Sequence, residues 1–300
     1  MRKYGTSQSV TRKEDSRFLT GHGRYIDDDA PDGAAHAVFL RSPTAHGAIT
    51  TLDVSEARQA PGVIGVYTAA DLAGKLENSI DFETVKNRDG SPSAAPRRPI
   101  LAEDRVRYVG EPVALVVAET RAAAMDAAEF IDLEFDDLPV HVDSAVGGPQ
   151  IHDEAPDNIA YDWAHGDEDA VSAAFAEAAH TVRLDLIDNR VMGMPMEPRG
   201  CHAHWDGERL HLSYSGQGVW GLKKELAKKL HLPRSAVHTM TPDVGGGFGI
   251  KAHNYPEYFA VAFAARETGR IVHWISARGE AMLSDHSGRD HVTVAEAAFD

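Results

Sequence analysis

The run Asp243-Val244-Gly245-Gly246-Gly247-Phe248-Gly249-Ile250-Lys251 constrains this chain more than any other stretch. Four glycines around one phenylalanine leave the backbone almost bare. Such a segment adopts positive φ without steric cost and brings its N–H groups against a bound group. The two standard phosphate-binding patterns fail on inspection. A P-loop ends in Gly-Lys-Ser/Thr, whereas Lys251 follows Ile250 and precedes Ala252. The dinucleotide fingerprint needs a glycine three residues after its second, and Ile250 stands three after Gly247. The glycines therefore suit some other bulky, polar ligand.

A second glycine-rich junction, Tyr214-Ser215-Gly216-Gln217-Gly218, has the same context. Each follows a strand pattern, Leu210 to Tyr214 in one case and Val237 to Met240 in the other, and each leads toward a helix. Ligands of open α/β sheets favour loops beyond the strand ends, so the two junctions are candidates to converge on one site. Between its glycines the Gln217 amide is unshielded and able to donate to an oxo or carbonyl oxygen. The same residues also read as a plain turn with Gln217 in solvent, and the local sequence leaves both readings open.

Elsewhere the chain reads as a mixed α/β (α+β) fold. Residues 1–30 are polar and turn-rich and suggest an extended arm with two apolar anchors near Arg17 to Tyr25. Residues 31–146 suggest a first domain, with strands at Ala37–Leu40, Ile49–Leu52 and Val63–Tyr67 and a short helix capped by Ser55. The apolar run Val113–Val117, the cap Thr120, an Ala-rich helix to Phe130 and the alternating Ile131–Phe135 complete it. Lys86 to Arg98 is rich in Pro, Ser, Asn and charge and suggests a surface loop. Residues 147–160, where Pro and Gly recur, form the expected linker, and 161–300 a second domain. That domain carries helices over Val219–Leu230 and Tyr255–Arg266 and strands over His180–Ile187 and Ile271–Ile275.

A net charge of -16 argues against nucleic acid or an anionic membrane as partner. No stretch approaches the roughly 18 apolar residues of a transmembrane helix. Met1-Arg2-Lys3 leads into polar residues rather than a secretory apolar region. Cys201 is the only cysteine, so this chain alone cannot supply the thiolates of an iron–sulfur cluster. His202 and His204 would share one face of a strand, but no three-ligand spacing accompanies them, which favours solvated or hydrogen-bonded histidines over a metal site.

Taken together, several segments resemble the molybdenum-binding subunit of the xanthine dehydrogenase and aldehyde oxidase family. Met196-Glu197-Pro198-Arg199, Gly216-Gln217-Gly218, Pro242 to Lys251 and Trp274-Ile275-Ser276-Ala277-Arg278 match it in order and separation. Arg17 to Gly21, Arg24 to Asp28, Arg41-Ser42-Pro43 and Val109 to Ala114 are similar to its N-terminal α/β hammerhead domain. The resemblance covers nearly the whole chain and is greatest to the carbon-monoxide-dehydrogenase-like branch. It implies an α/β hammerhead domain followed by the first part of a molybdopterin-binding domain.

The resemblance also implies chemistry. The cofactor would be molybdopterin, in the cytosine dinucleotide form of many bacterial members, with molybdenum held through the pterin and not by side chains of this chain. The reaction would hydroxylate an aldehyde or an N-heterocycle, ahead of carbon monoxide, with water as oxygen source. Electrons would leave through iron–sulfur and FAD subunits. Gln217 would hydrogen-bond an oxo ligand, Phe248 and Gly249 would lie beneath the metal, and Gly216, Gly246 and Gly247 would permit the close approach. Ala252 stands where purine-oxidising members carry glutamate, which disfavours a purine held that way. Glu197 reads as a structural carboxylate paired with Arg199, not as the general base. Because family subunits run more than twice this length, the expected partners include a second polypeptide that completes the site. The alternative is a non-catalytic scaffold or a truncated fragment. The expected location is cytoplasmic, or periplasmic through a partner's signal.

Overall fold

A computed structural model describes residues 11–82 and 84–300. The first ten residues of the expected arm, including Met1-Arg2-Lys3, lie outside the described residues.

The elements follow in chain order. They are α1 (Asp15–Leu19), β1 (Ala35–Arg41), β2 (Gly47–Asp53), β3 (Val63–Tyr67), α2 (Ala69–Leu72), β4 (Arg105–Val106), β5 (Pro112–Ala118), α3 (Arg121–Ala128) and β6 (Asp132–Asp137). Then come α4 (Glu168–Glu177), β7 (His180–Asp188), β8 (Gly200–Trp205), β9 (Leu210–Tyr214), α5 (Trp220–Lys229), β10 (Val237–Met240), α6 (Pro256–Thr268), β11 (Val272–Ile275), α7 (Arg278–Ser284) and β12 (His291–Phe299).

Seven strands form one sheet in the order β10-β9-β8-β11-β1-β5-β3. The pairs β1–β11 and β9–β10 are parallel and the other neighbours antiparallel. Strands from early and late in the chain therefore share one hydrogen-bonded ladder. A three-stranded sheet β4-β2-β6 and a two-stranded ribbon β12-β7 stand beside it.

The burial pattern explains the layers. Strand β5, Pro-Val-Ala-Leu-Val-Val-Ala, is buried at every position because both of its faces are covered, which is why it reads as a continuous apolar run. One face meets α3, through Ala124 and Ala127. The other belongs to a larger core dominated by α6, whose residues Pro256 to Ala265 are all buried. Helix α6 starts with Pro256 in its first turn and stops at Gly269, left-handed at φ 65°. Helix α3 is capped as expected, the Ala123 N–H donating to Thr120 Oγ1 at 3.1 Å.

Some local expectations differ. The helix expected after Ser55 is only a 3-10 turn, Ala57–Gln59, with Glu56 at its start. Asp53 Oδ1 accepts the Ser55 N–H at 2.8 Å, so an Asx turn takes the residue that was expected to cap. The arm is not extended throughout, because Asp15–Leu19 is helical and Thr20 Oγ1 donates to Ser16 O at 2.7 Å. Its apolar anchors are the stacked rings of Phe18 and Tyr25 and the buried Ile26. Among the described residues no helix is long and apolar enough to cross a membrane.

Candidate functional site

The site is set by the parallel pair β9–β10. Met240 pairs with Ser213, so the two strands run in step and end together. Their glycine loops leave from the same edge and meet, as the sequence suggested. The Gln217 N–H donates to Lys251 O at 3.0 Å, and the Gly249 N–H donates to Gln217 Oε1 at 3.0 Å. At the base of the junction the Gly216 N–H donates to Thr241 Oγ1 at 3.3 Å.

Close approach explains the glycines. A Cβ on Gly247 would lie 2.5 Å from Gln217 Cδ, and one on Gly216 would lie 2.0 Å from the Tyr214 ring. Gly246 and Gly249 have φ of 97° and 90°, conformations that L side chains rarely adopt. Phe248 takes φ 51°, rare for an aromatic residue, and its ring is 74 % exposed. Strain of this kind is retained where surrounding contacts fix it, and it often marks a functional position. The ring borders a cavity of about 450 Å³ that also touches Met192, Gly193, His253 and His286.

Glu197 holds the base of the loop. Its Oε2 accepts the Gly245 N–H and the Lys251 ammonium, both at 2.8 Å, and its Oε1 accepts the Ile26 N–H at 3.1 Å. The carboxylate is structural, but its partner is Lys251 and not Arg199. Burial lowers the Lys251 pKa, opposed by the hydrogen bond to Glu197. The arm clamps the outer side of the loop. Arg17 forms a two-pronged pair with Asp243, and the Arg24 N–H donates to Asp243 Oδ2 at 2.8 Å. These bonds lower the Asp243 pKa, with the Arg17 contact the largest cause.

Arg199 lies instead in the core, fully buried. It donates to Glu257 Oε2 at 2.9 Å, Asp285 Oδ1 at 2.5 Å and Ser284 Oγ at 2.9 Å, with its guanidinium 3.6 Å from the Tyr255 ring centroid. Arg41 reaches the same Glu257 at 2.6 Å. Burial alone would raise the Glu257 pKa, but Arg199 and Arg41 outweigh it and hold the carboxylate ionised. This network, absent from the sequence reading, fixes the segment that carries Glu197.

Two sets of donors are left without protein partners among the described residues. Gln217 Nε2 makes no hydrogen bond among the described residues, since its amide oxygen is the atom committed to Gly249. The N–H groups of Gly246, Gly247 and Phe248 likewise donate to no protein acceptor among the described residues. His202 and His204 do share a face of β8. His202 Nε2 lies 3.6 Å from Asp29, and among the described residues no three His, Cys, Asp or Glu side chains converge as metal ligands.

Comparison with known proteins agrees with this geometry. Residues 151–300 match the model of the molybdopterin cofactor-binding domain. Residues 20–139 match the a/b hammerhead domain of aldehyde oxidase and xanthine dehydrogenase. The chain thus belongs to the aldehyde oxidase and xanthine dehydrogenase family of molybdopterin-binding subunits. It is 41% identical over 295 residues to the nicotine 6-hydroxylase large subunit of Paenarthrobacter nicotinovorans, covering 96% of this chain and 35% of the relative. It is 32% identical to the carbon monoxide dehydrogenase large chain of Hydrogenophaga pseudoflava, covering 96% of this chain and 37% of that one. Quinoline 2-oxidoreductase of Pseudomonas putida 86 superposes with a TM-score of 0.85 at 35% identity, over 100% of this chain and 38% of its own. The chain therefore spans a little over a third of the length of these relatives.

The residues present fit the cofactor that the family binds. The exposed Gln217 amide, the bare N–H groups of Gly246 to Phe248 and glycines that admit no Cβ make a shallow donor cradle. Such a cradle suits a planar ligand edged with oxygen.

Proposed function

We propose that this chain forms one wall of the active site of a molybdenum hydroxylase acting on an N-heterocycle, with an aldehyde as the second choice and carbon monoxide behind both. The observation that carries the reading is the convergence of Gln217 and the Gly245–Gly249 loop at the ends of β9 and β10. Molybdopterin, in its cytosine dinucleotide form, supplies when bound a two-electron redox centre at which a carbon beside nitrogen is hydroxylated with water as oxygen source. This chain's residues position and shield. Gln217, its amide orientation fixed by the Gly249 N–H, directs Nε2 as a donor to an oxygen of the cofactor. Gly246, Gly247 and Phe248 offer N–H groups to the same edge. The Phe248 ring borders the substrate cavity and offers it an apolar face. No residue of the site is assigned as general base, and Glu197 is engaged by Lys251.

The heterocycle is favoured over carbon monoxide by the similarity to nicotine 6-hydroxylase and quinoline 2-oxidoreductase. In the same reading, iron–sulfur and FAD subunits accept the electrons, and the part of the relatives' length that this chain does not span corresponds to the remaining cofactor contacts. One relative is itself a subunit of a complex, the 6-hydroxypseudooxynicotine dehydrogenase complex subunit gamma. The ribbon β7–β12 supports a covering partner. Val182, Leu184 and Leu186 share one face with Ala295 and Ala297 and are 58%, 54% and 44% exposed, more apolar surface than a lone two-stranded ribbon sustains in water. We place the complex in the cytoplasm. The test is metal and pterin analysis of the protein purified from its native host with everything that accompanies it. Molybdenum near one per chain supports the reading; a complex without molybdenum or pterin ends it.

A further inference from the structure

Beside the Phe248 cavity lies a second one of about 740 Å³, a size typical of small-molecule sites. Arg98, Arg107 and Arg190 line it, with His253 and His286. The chain has 46 Asp and Glu against 30 Lys and Arg, so an arginine without a carboxylate neighbour should be uncommon. None of these three arginines forms an ion pair among the described residues, although the buried Glu111 carboxylate lies near enough to Arg98 and Arg107 to feel their charge. The one carboxylate in the lining, Asp285, is taken by Arg199. Arg107 Nε is buried with no hydrogen-bond partner.

The histidines register the resulting field. Burial first, then the positive charge of Arg98, pushes His286 down to about 3 and also lowers His253. Neutral His286 shares a hydrogen bond with Arg98 at 2.5 Å. Both histidines also line the Phe248 cavity, so the two spaces have a common wall.

We propose that this basic pocket is an anion subsite that binds the carboxylate of a heteroaromatic acid whose ring lies against Phe248. The inference rests on the function proposed above and names its substrate class. A carboxylate matches the planar guanidinium forks that line the cavity. Val140 and Leu283, 44% and 49% exposed in the same lining, suit the apolar body of such an acid better than a hydrated inorganic ion.

The test is calorimetric titration of the protein, purified as it occurs in its native complex, with quinoline-4-carboxylate, quinoline and inorganic phosphate. The acid is expected to bind at least about ten-fold more tightly than quinoline, and the advantage should shrink as salt rises. Arg107→Gln should bring the preference close to unity. Arg190→Gln, on the exposed rim, should reduce it without burdening the fold. Equal affinity for the acid and for quinoline overturns the proposal. So does phosphate displacing the acid at equal concentration, which would make the site a phosphate site, or a preference untouched by both variants. Molybdenum content and quinoline turnover are read separately. A molybdenum protein that hydroxylates quinoline without preferring the acid sinks this inference alone, whereas loss of both removes the proposed function beneath it.

Discussion

Gln217 Oε1 and the Gly249 N–H are joined at 3.0 Å, and that bond sets which end of the amide faces out. Two loops separated by strand β10 and helix α5 thereby act as one unit. The Gln217 donor is oriented by a backbone group and not by rotamer preference alone.

Gln217→Glu separates the two halves of that amide. The new carboxylate still accepts from Gly249 but has lost the outward donor. Folding stability should change by less than about 1 kcal/mol, as for an exposed substitution. If the donor serves the reaction, kcat should fall by about 10²–10³, the usual cost of removing one positioned donor. Steady-state kinetics beside a urea midpoint decides it. An enzyme with unaltered kcat would remove Gln217 from the proposed machinery.

Gly247→Ala tests the close approach itself. The added methyl would meet Gln217 Cδ at 2.5 Å, so the loops must separate. A loss of about 1–3 kcal/mol is expected, together with loss of cofactor content. Gly221→Ala in α5 is the control, because its Cβ meets nothing within 4 Å, and it should be neutral or stabilising by up to about 1 kcal/mol. Denaturation of the two variants side by side should show Gly247→Ala destabilised and Gly221→Ala not.

Arg199→Met should be among the most damaging single changes. It removes the buried partner of Asp285 and one of the two that hold Glu257, which keeps Arg41, and breaking a buried pair costs about 3–5 kcal/mol. Glu257→Gln also releases charge from Arg41. A double-mutant cycle between positions 199 and 257 should therefore show coupling of at least about 1 kcal/mol. Additive losses would mean that the pair is not a pair in solution.

The pH dependence follows from two histidines, His273 buried and His286 half-buried. Burial is the main cause in both cases, and it pushes His286 from 6.5 down to about 3 and His273 down to about 4. Below the unfolded value near 6.5, the unfolded chain takes up protons that the folded chain refuses. Stability is therefore full above that value and declines as pH falls from 6.5 toward the folded values. Glu257, held ionised by Arg199 and Arg41, adds a further loss only at lower pH, as its carboxylate is protonated. Urea midpoints at pH 7.5, 6 and 5 should decrease in that order, and His286→Asn should flatten the decline. A wild-type midpoint that rises on acidification would contradict the sign.

Local periodicity and glycine chemistry made much of this molecule legible. The buried run of β5 and the Thr120 cap follow from residues close in sequence, whereas the meeting of the two glycine loops, one of two readings the local sequence left open, needs the parallel pairing of β9 with β10. Glu197 shows where that reasoning stops. Its nearest cation in sequence is Arg199, but the backbone turns that side chain into the core, and Lys251, 54 residues away, takes its place. Helix α4 was missed because it opens at Asp167, directly after the Gly166 turn, in a stretch with no strong apolar stripe. The basic pocket was illegible for a different reason. Arg98, Arg107, Arg190, His253 and His286 come from five separate segments, and an average charge of -16 conceals them.

The parallel pairing of β1 with β11 has a consequence for synthesis. Ala35 must wait for Val272, made roughly two hundred and forty residues later, before that ladder can close. At the usual 5–20 residues per second, this is a delay on the order of ten seconds or more. Throughout it the β1–β5–β3 portion presents an open strand edge, the kind of surface on which nascent chains pair wrongly. Yield in a foreign host should therefore respond to chaperone supply and to slower growth more than to changes at the surface of the finished fold.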